Sequence, residues 1–525
     1  MPVHSAVDTS SLKSGVSQRT SHVEALKSSS IIGGSTGIVL LIRMVRTKVL
    51  AVLLGPAGVG LEAIFDSIVN LSRTLFDLGV SSSGVRQIAV ANSSDDHRVL
   101  ATTAITLRRV CFALGSIGSL ALFLAREPIS RLAFGTAEHS SAIGLLSILL
   151  LFAAFAGGQG ALLQGMRRIG DLARMNILGT LVGTLVTIPI VWIWGQRGIA
   201  AYMVVAGGIA ALIAWLYARR IPITRTKVSF REMLGETSGL LRLGVAFLSS
   251  SLLATGALFL LRILVTRHEG VEGAGQFQAA SALSLVYVGF ILQAMATDYY
   301  PRLTAVAEDD ARCNQTVNEQ SEISLLLALP GILGTLAFAP WVIHVFYSSR
   351  FDMAGHILAW QVAGMLFRVI SWPMGFILMA KGRGVLFVLT DLLAWGAYLG
   401  FAWVGLKWFG LPGTGMAFLA LYIFHVAMIY LVVQRVTGFR WSSATLRLVG
   451  TGVLTVGSAL LARLTLPEPW ASGAGGLLAI LVGIHCLRAL AGIVGRERFD
   501  RVLQKLRLPR FLARGTVVAQ AEEGP

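Results

Sequence analysis

An all-α integral membrane fold of about fourteen transmembrane helices follows from three features of the sequence. Apolar runs of about 20 residues, the length a helix needs to cross hydrocarbon, recur along nearly the whole chain. The segments between them collect most of the cations, and one half of the chain echoes the other. With 55% of its 525 residues hydrophobic and 14% charged, the chain is too apolar for a soluble protein of this length. Such runs must be helical, because in lipid each backbone polar group has to be satisfied within its own segment.

Apolar length, together with breaks at Gly, Pro and charge, places the spans in order. The first, 29–50, and the second, 57–80, are parted by Gly55 and Pro56. The third, 99–124, stops before Arg126, Glu127 and Pro128, and the fourth, 141–165, before Arg167 and Arg168. Only Gln196 and Arg197 divide the fifth, 172–195, from the sixth, 198–218. The seventh, 239–264, and the eighth, 273–298, flank Arg267 to Gly270. The ninth, 321–346, and the tenth, 354–379, lie on either side of Arg350. Lys381 and Arg383 precede the eleventh, 385–409, and Gly410 the twelfth, 412–434. Pro467, Glu468 and Pro469 separate the thirteenth, 444–466, from the fourteenth, 472–494.

The expected organisation is a disordered cytoplasmic arm over 1–27, rich in Ser and Thr, and a six-helix bundle over 28–220. A cytoplasmic linker, 221–238, leads to a second six-helix bundle over 239–435. Two additional spans occupy 436–495, and a basic cytoplasmic tail 496–525. Within that tail, RERFDRVLQKLRLPRFLAR at 496–514 reads as a basic amphipathic helix on the inner leaflet, or as a simple topology anchor. Segments on the side of the N-terminus carry about 30 Lys and Arg and the opposite ones about 7, counting the pairs Arg108–Arg109, Arg167–Arg168 and Arg219–Arg220 with the former. That asymmetry predicts a multi-pass protein of the cytoplasmic membrane with both termini inside.

The halves align at an offset of about 215 residues. GVRQIAVA at 84–91 matches YPRLTAVA at 300–307, and GVGLEAIFDS at 58–67 matches GAGQFQAASA at 273–282. LQGMRRIG at 163–170 corresponds to MAKGRG at 379–384. Two six-span units facing the same way are the arrangement in which transporters form a central site between bundles.

Charge inside the spans is costly and therefore informative. Arg43 and Arg46 are three apart and share one helical face, while Lys48 turns toward another and can snorkel. In the second span Glu62, Asp66 and Arg73 form a polar stripe, and Asp77 follows. The second half carries Arg262, near the position equivalent to Arg46, and Arg368 in mid-span. Arg43, Arg46, Arg73, Arg262 and Arg368 are thus candidates for binding an anionic substrate, and Glu62, Asp66, Asp77 and Asp298 for coupling to an ion. For Asp298, Asp391 and Arg302, close to water, a loop cap or interfacial ion pair explains the charge equally well.

The net charge of +17 does not indicate a nucleic-acid partner, because no soluble domain exists to carry a binding face. Cys111, Cys313 and Cys486 are isolated and read as small core residues, and His344, His356, His425 and His485 are scattered. No nucleophile elbow, phosphate loop or metal-ligand cluster occurs, so the sequence predicts a transporter without a cofactor rather than an enzyme.

A basic first span, then LLGPAGVG, then a charged second span ending LFDLGVSSSGVR, with MATDYYPRL after the eighth span, resembles the polysaccharide translocases of the multidrug/oligosaccharidyl-lipid/polysaccharide exporter superfamily. The likeness covers roughly 28–435 and is strongest to the flippases for O-antigen and enterobacterial common antigen units. It implies movement of an undecaprenyl-pyrophosphate-linked oligosaccharide from inner to outer leaflet by alternating access, for O-antigen, exopolysaccharide or a similar glycan. It also implies partners among membrane lipids and glycan polymerase or chain-length machinery. The related peptidoglycan-precursor flippases place cavity arginines at positions that fall here on Arg46 and on Arg73 of NLSR. Where their first-span pattern begins with a cation this chain has Leu40, and Arg43 lies one turn away.

Three other readings are weighed against this one. An exporter of drugs or small organic cations from the same superfamily requires a cavity dominated by carboxylates. A membrane-embedded glycan polymerase or ligase requires a large extracytoplasmic loop, and the outer loops are short. A scaffold for glycan assembly does not need Arg262 or Arg368 inside the membrane.

Overall fold

The computed structural model describes residues 9–94, 96–223 and 230–494, with the side chains of 9–30, 32, 230, much of 231–250, 294, 297 and 494 left aside. The tail helix expected at 496–514 lies outside the described residues, as do 1–8 of the arm and 224–229 of the linker. Among the described residues the chain is predominantly helical, and thirteen of the fourteen expected spans fall largely within one helix; the ninth, 321–346, divides at Phe338 between two helices, Asp310–Ala337 and Ala339–Phe346.

Two very long helices, α1 (Thr9–Asp77) and α8 (Phe230–Ala305), each break once. The first breaks at Gly55 (φ 67°, ψ −169°) ahead of Pro56, the second at Gly270 (φ 73°, ψ −179°). This backbone conformation is open essentially to glycine alone, and Pro56 adds the loss of an N–H and a clash with the preceding turn. The limbs on either side are spans one and two in α1 and spans seven and eight in α8. α1 is helical from Thr9, within the segment expected as an arm.

Between and after them run α2 (Val80–Ser93), α3 (His97–Leu124), α4 (Arg126–Phe134), α5 (Ser140–Gly165), α6 (Ile169–Trp194) and α7 (Ile199–Ala218). The second half continues with α9 (Asp310–Ala337), α10 (Ala339–Phe346), α11 (Asp352–Ala380), α12 (Gly384–Phe409), α13 (Gly413–Thr437), α14 (Ser443–Thr465) and α15 (Trp470–Val494). Ten segments are long and apolar enough to cross a membrane by length and composition, among the described residues. Ile169–Ala218 holds two expected spans and Ser251–Gln293 overlaps two more, so twelve of the fourteen are represented. The other two are the charged limbs of α1.

Local geometry repeats at the offset seen in the sequence. Gly55 and Gly270 adopt the same conformation 215 residues apart. α3 and α9 are both 28 residues long, and each is capped by an aspartate side chain, Asp96 accepting from the Arg98 N–H and Asp309 from the Arg312 N–H. α6 and α12 are both 26 residues long and end on Gly195 and Gly410, both at positive φ. The short helices α4 and α10, which the sequence reading joined to neighbouring spans or loops, occupy matching places.

The chain divides into two compact units, Met1–Phe259 and Leu260–Pro525. In the first, α5 packs on α3 and α7, and α6 on α1 and α7, with a core of Ile88, Leu107, Cys111, Leu162, Leu163 and Tyr217. In the second, α11 packs on α13 and α9, and Tyr299 donates to the Pro373 carbonyl at 2.8 Å beneath Met374 and Phe439. All three cysteines are buried and unpaired, as expected.

The last two spans belong to this second unit, docked on α9. Asn314, Asn318 and Glu322 lie on one face of α9 at helical spacing and clamp the α13–α14 connection. Asn314 Nδ2 donates to the Thr437 carbonyl at 2.8 Å, Asn318 Oδ1 accepts the Ser442 N–H at 2.8 Å, and Glu322 accepts from the hydroxyls of Ser442 and Thr445 at 2.9 and 3.0 Å. At the far end Ser472 donates to the Ala337 carbonyl at 2.9 Å.

A Cβ at Gly270 would meet nothing within 4 Å, so the penalty of a side chain there is purely one of backbone. Gly270→Ala should lower stability by about 1–3 kcal/mol in reversible unfolding by SDS. Gly396→Ala, in open space on the exposed side of α12, should be neutral or stabilising by up to about 1 kcal/mol.

Candidate functional site

α1 brings its charge to one place because its two limbs run on either side of a break. Arg43 and Arg46 from the first limb and Arg73 from the second line a single cavity of about 780 Å³ in the first unit. Helices α5, α6 and α7 complete the wall with small residues such as Gly160, Gly179 and Gly207, and with the uncharged polar side chains of Gln164, Asn176 and Thr180. Among the described residues, the charged members of the lining are all arginines.

The three cations differ in how far they are neutralised. Arg46 Nη2 sits 3.4 Å from Glu62 Oε1, with 30% and 19% of the side chains exposed. That is longer than the 2.7–2.9 Å typical of a charge-assisted hydrogen bond. Arg46 Nε is buried with no acceptor. Tyr202, on α7, places its buried hydroxyl beside the Glu62 carboxylate, outside hydrogen-bonding geometry. Glu62 therefore holds Arg46 loosely, with one donor on each residue's side still free. Arg43 lies in the repulsive field of Arg46, opposed by that of Asp66, and makes no hydrogen bond or ion pair among the described residues. Arg73 has none either. The site can accept a multivalent anion from Arg43 and Arg73 without first breaking a protein contact, and from Arg46 by displacing Glu62.

Of the remaining candidates Asp66 lies near enough to act on Arg43, and the others lie elsewhere. Asp66 is exposed and accepts from Asn70 Nδ2 at 2.8 Å. Asp77 receives the Ser81 hydroxyl at 2.6 Å, which ties the end of α1 to the first turn of α2. In the second unit Arg262 Nη2 donates to Gln278 Oε1 at 2.7 Å. Arg368, half-buried on α11, stands over the Tyr422 ring at 5.8 Å, near His425. Asp298 is exposed and pairs with Arg302 at 3.4 Å, the interfacial ion pair expected for such a position.

Several residues of the site were not singled out in the sequence. Tyr202 reads there as one aromatic in an apolar helix. Asn176, Thr180 and Thr184 recur every four residues on α6, a signal that periodicity carries but that no charge underlines. Arg108, counted among loop cations, is instead half-buried inside α3, where its Nε donates to the buried Gln159 Oε1 at 3.1 Å.

The family described as Polysaccharide biosynthesis protein matches residues 49–355. Two curated relatives, each titled "Lipid III flippase", from Escherichia coli (strain K12) and Shigella flexneri, are 23% identical over 389 residues, covering 73% of this chain and 91% of theirs. Among solved structures, "Lipid II flippase MurJ, inward closed conformation" superposes with a TM-score of 0.64 at 13% identity, over 89% of this chain and 99% of that one. An inward-facing multidrug resistance MATE family transporter of the MOP superfamily gives 0.61 at 18% identity, over 82% and 96%. These two likenesses establish the fold.

Gln159→Leu should leave the half-buried Arg108 guanidinium without its acceptor, and cost about 1–3 kcal/mol of stability in SDS unfolding. Arg108→Leu in the same background should recover most of that loss, since the orphaned group is then gone.

Proposed function

Because the chain belongs to the polysaccharide biosynthesis protein family, we propose that it is a flippase that carries a lipid-linked oligosaccharide between leaflets of the bacterial cytoplasmic membrane. The observation that carries this reading is the convergence of Arg43, Arg46 and Arg73 on one cavity whose lining, among the described residues, holds no carboxylate. A phosphate or pyrophosphate cannot cross hydrocarbon unaided, and guanidinium groups bind its oxygens through paired, charge-assisted hydrogen bonds. The cargo is an undecaprenyl-pyrophosphate-linked repeat unit, of O-antigen, exopolysaccharide or a similar glycan, moved from inner to outer leaflet by alternating access. Charge asymmetry supports cytoplasmic termini. Polymerase or chain-length machinery then receives the unit outside. An exporter of organic cations is the poorer reading, because such cargo would meet three arginines and no acid in this lining.

Glu62 gives the cycle its reset. In the empty cavity it is the counter-ion of Arg46; when a phosphate arrives, Arg46 exchanges Glu62 for the ligand. The carboxylate then needs a new partner, which the free Tyr202 hydroxyl or a proton supplies. Return of Glu62 to Arg46 displaces the phosphate on the far side. Asp66, facing Arg43, is the second coupling candidate. Arg262, Arg368, Asp77 and Asp298 keep supporting parts in this proposal, as charges outside the arginine cavity.

Arg46→Ala with Arg73→Ala, expressed at the wild-type level, should leave lipid-linked oligosaccharide on the cytoplasmic leaflet and abolish surface glycan in a deletion strain. Normal surface glycan in that double variant overturns the assignment of the site. Glu62→Gln should tighten binding of undecaprenyl pyrophosphate by about tenfold, slow net transport in proteoliposomes, and remove its response to an imposed pH gradient. A full response in Glu62→Gln eliminates Glu62 from coupling.

A further inference from the structure

We propose that the face of α6 carrying Asn176, Thr180 and Thr184 reads the first sugar of the cargo; this rests on the function proposed above and assigns the part of the cavity that the arginines do not explain. The three residues recur every four positions, so they project from one side of the helix. All three line the same cavity of about 780 Å³ as Arg43, Arg46 and Arg73. A ligand whose phosphate sits on the arginines therefore presents its next group to a neutral, polar wall.

The hydroxyl of Thr184 is the independent sign of a missing ligand. Only 5% of the residue is exposed, and its Oγ1 is buried without a hydrogen-bond partner. A threonine in an apolar helix ordinarily satisfies itself on the backbone one turn earlier, and Thr187 does so on this helix, donating to the Gly183 carbonyl at 2.8 Å. Asn176 and Thr180 likewise make no side-chain hydrogen bond among the described residues. An amide offers both a donor and an acceptor, and a hydroxyl either, which matches the adjacent hydroxyl groups of a pyranose ring.

The glycines between them make room for that ring. Gly179 and Gly183 line the cavity, and a Cβ added to either would meet α7 at ordinary contact distance, 3.7 Å from Ala210 Cα and 3.4 Å from Ala206 Cβ. Helix packing alone does not require glycine at these positions. Phe152 of α5 lines the same cavity, and its ring supplies an apolar surface on which a sugar can pack. A cavity of this volume suits a compact headgroup rather than a polymer.

The test is ligand binding to the full-length protein in nanodiscs, with three probes: undecaprenyl pyrophosphate, the same lipid carrying one N-acetylglucosamine, and the same lipid carrying one galactose. The wild type should bind at least one glycosylated probe about tenfold more tightly than the bare lipid. Asn176→Ala and the isosteric Thr184→Val should erase that preference and leave bare-lipid affinity and the thermal midpoint unchanged. Arg46→Ala with Arg73→Ala should weaken all three probes alike. Equal binding of all probes by the wild type, or an unaltered sugar preference in both α6 variants, overturns the sugar-reading face. Undiminished bare-lipid binding in the arginine variant overturns the phosphate site instead, so the two failures are distinguishable.

Discussion

The first unit depends on one loose ion pair, Arg46 with Glu62, formed across the break at Gly55. Arg43 and Arg73 are exposed to the cavity, but an unpaired charge at the more buried positions of Arg46 and Glu62 is strongly disfavoured, and a tight, fully hydrogen-bonded pair would be inert. At 3.4 Å, with Arg46 Nε and the Tyr202 hydroxyl unsatisfied beside it, the pair is neutral enough to reside there and open enough to exchange. The break in α1 is what allows it. A straight helix would set residues 16 apart about 24 Å from one another along its axis, whereas folding back at Gly55 brings them together.

Duplication preserved the scaffold and altered the chemistry. Both long helices break at a glycine, and in both an arginine reaches across the break to a residue 16 positions on, through Nη2 to an Oε1. In the second unit the acceptor is Gln278, at 2.7 Å, so the hydrogen bond is short and carries no opposing charge. At this matched position the first unit pairs its arginine with a carboxylate and the second with an amide. The two units start from one plan and offer different electrostatics.

Much of this was legible in the sequence, for physical reasons that also explain what was not. Gly55 with Pro56, and Gly270 after Arg267 to Glu269, announce breaks because few other residues tolerate that backbone; Arg43, Arg46 and Arg73 stand out because charge in an apolar run is rare. Asn176, Thr180 and Thr184 were silent because uncharged polar residues are common in membrane helices, and their meaning comes from the cavity they border; that of Tyr202 comes from the Glu62 carboxylate beside it. Arg108 misled because a cation within about a dozen residues of a helix start looks like a topology marker, and only its bond to Gln159 reveals the burial.

The ladder of Asn314, Asn318 and Glu322 bears on how the protein is made. Its partners on α13 and α14 lie 120 to 127 residues later in the chain. During synthesis α9 therefore leaves the ribosome with a carboxylate and two amides on one face, long before Ser442 and Thr445 exist to receive them. Until then those groups must be held by water, by the insertion machinery or by a helix kept waiting at the edge of the bilayer. The two final helices, outside the duplicated plan, close a polar seam that earlier translation leaves open.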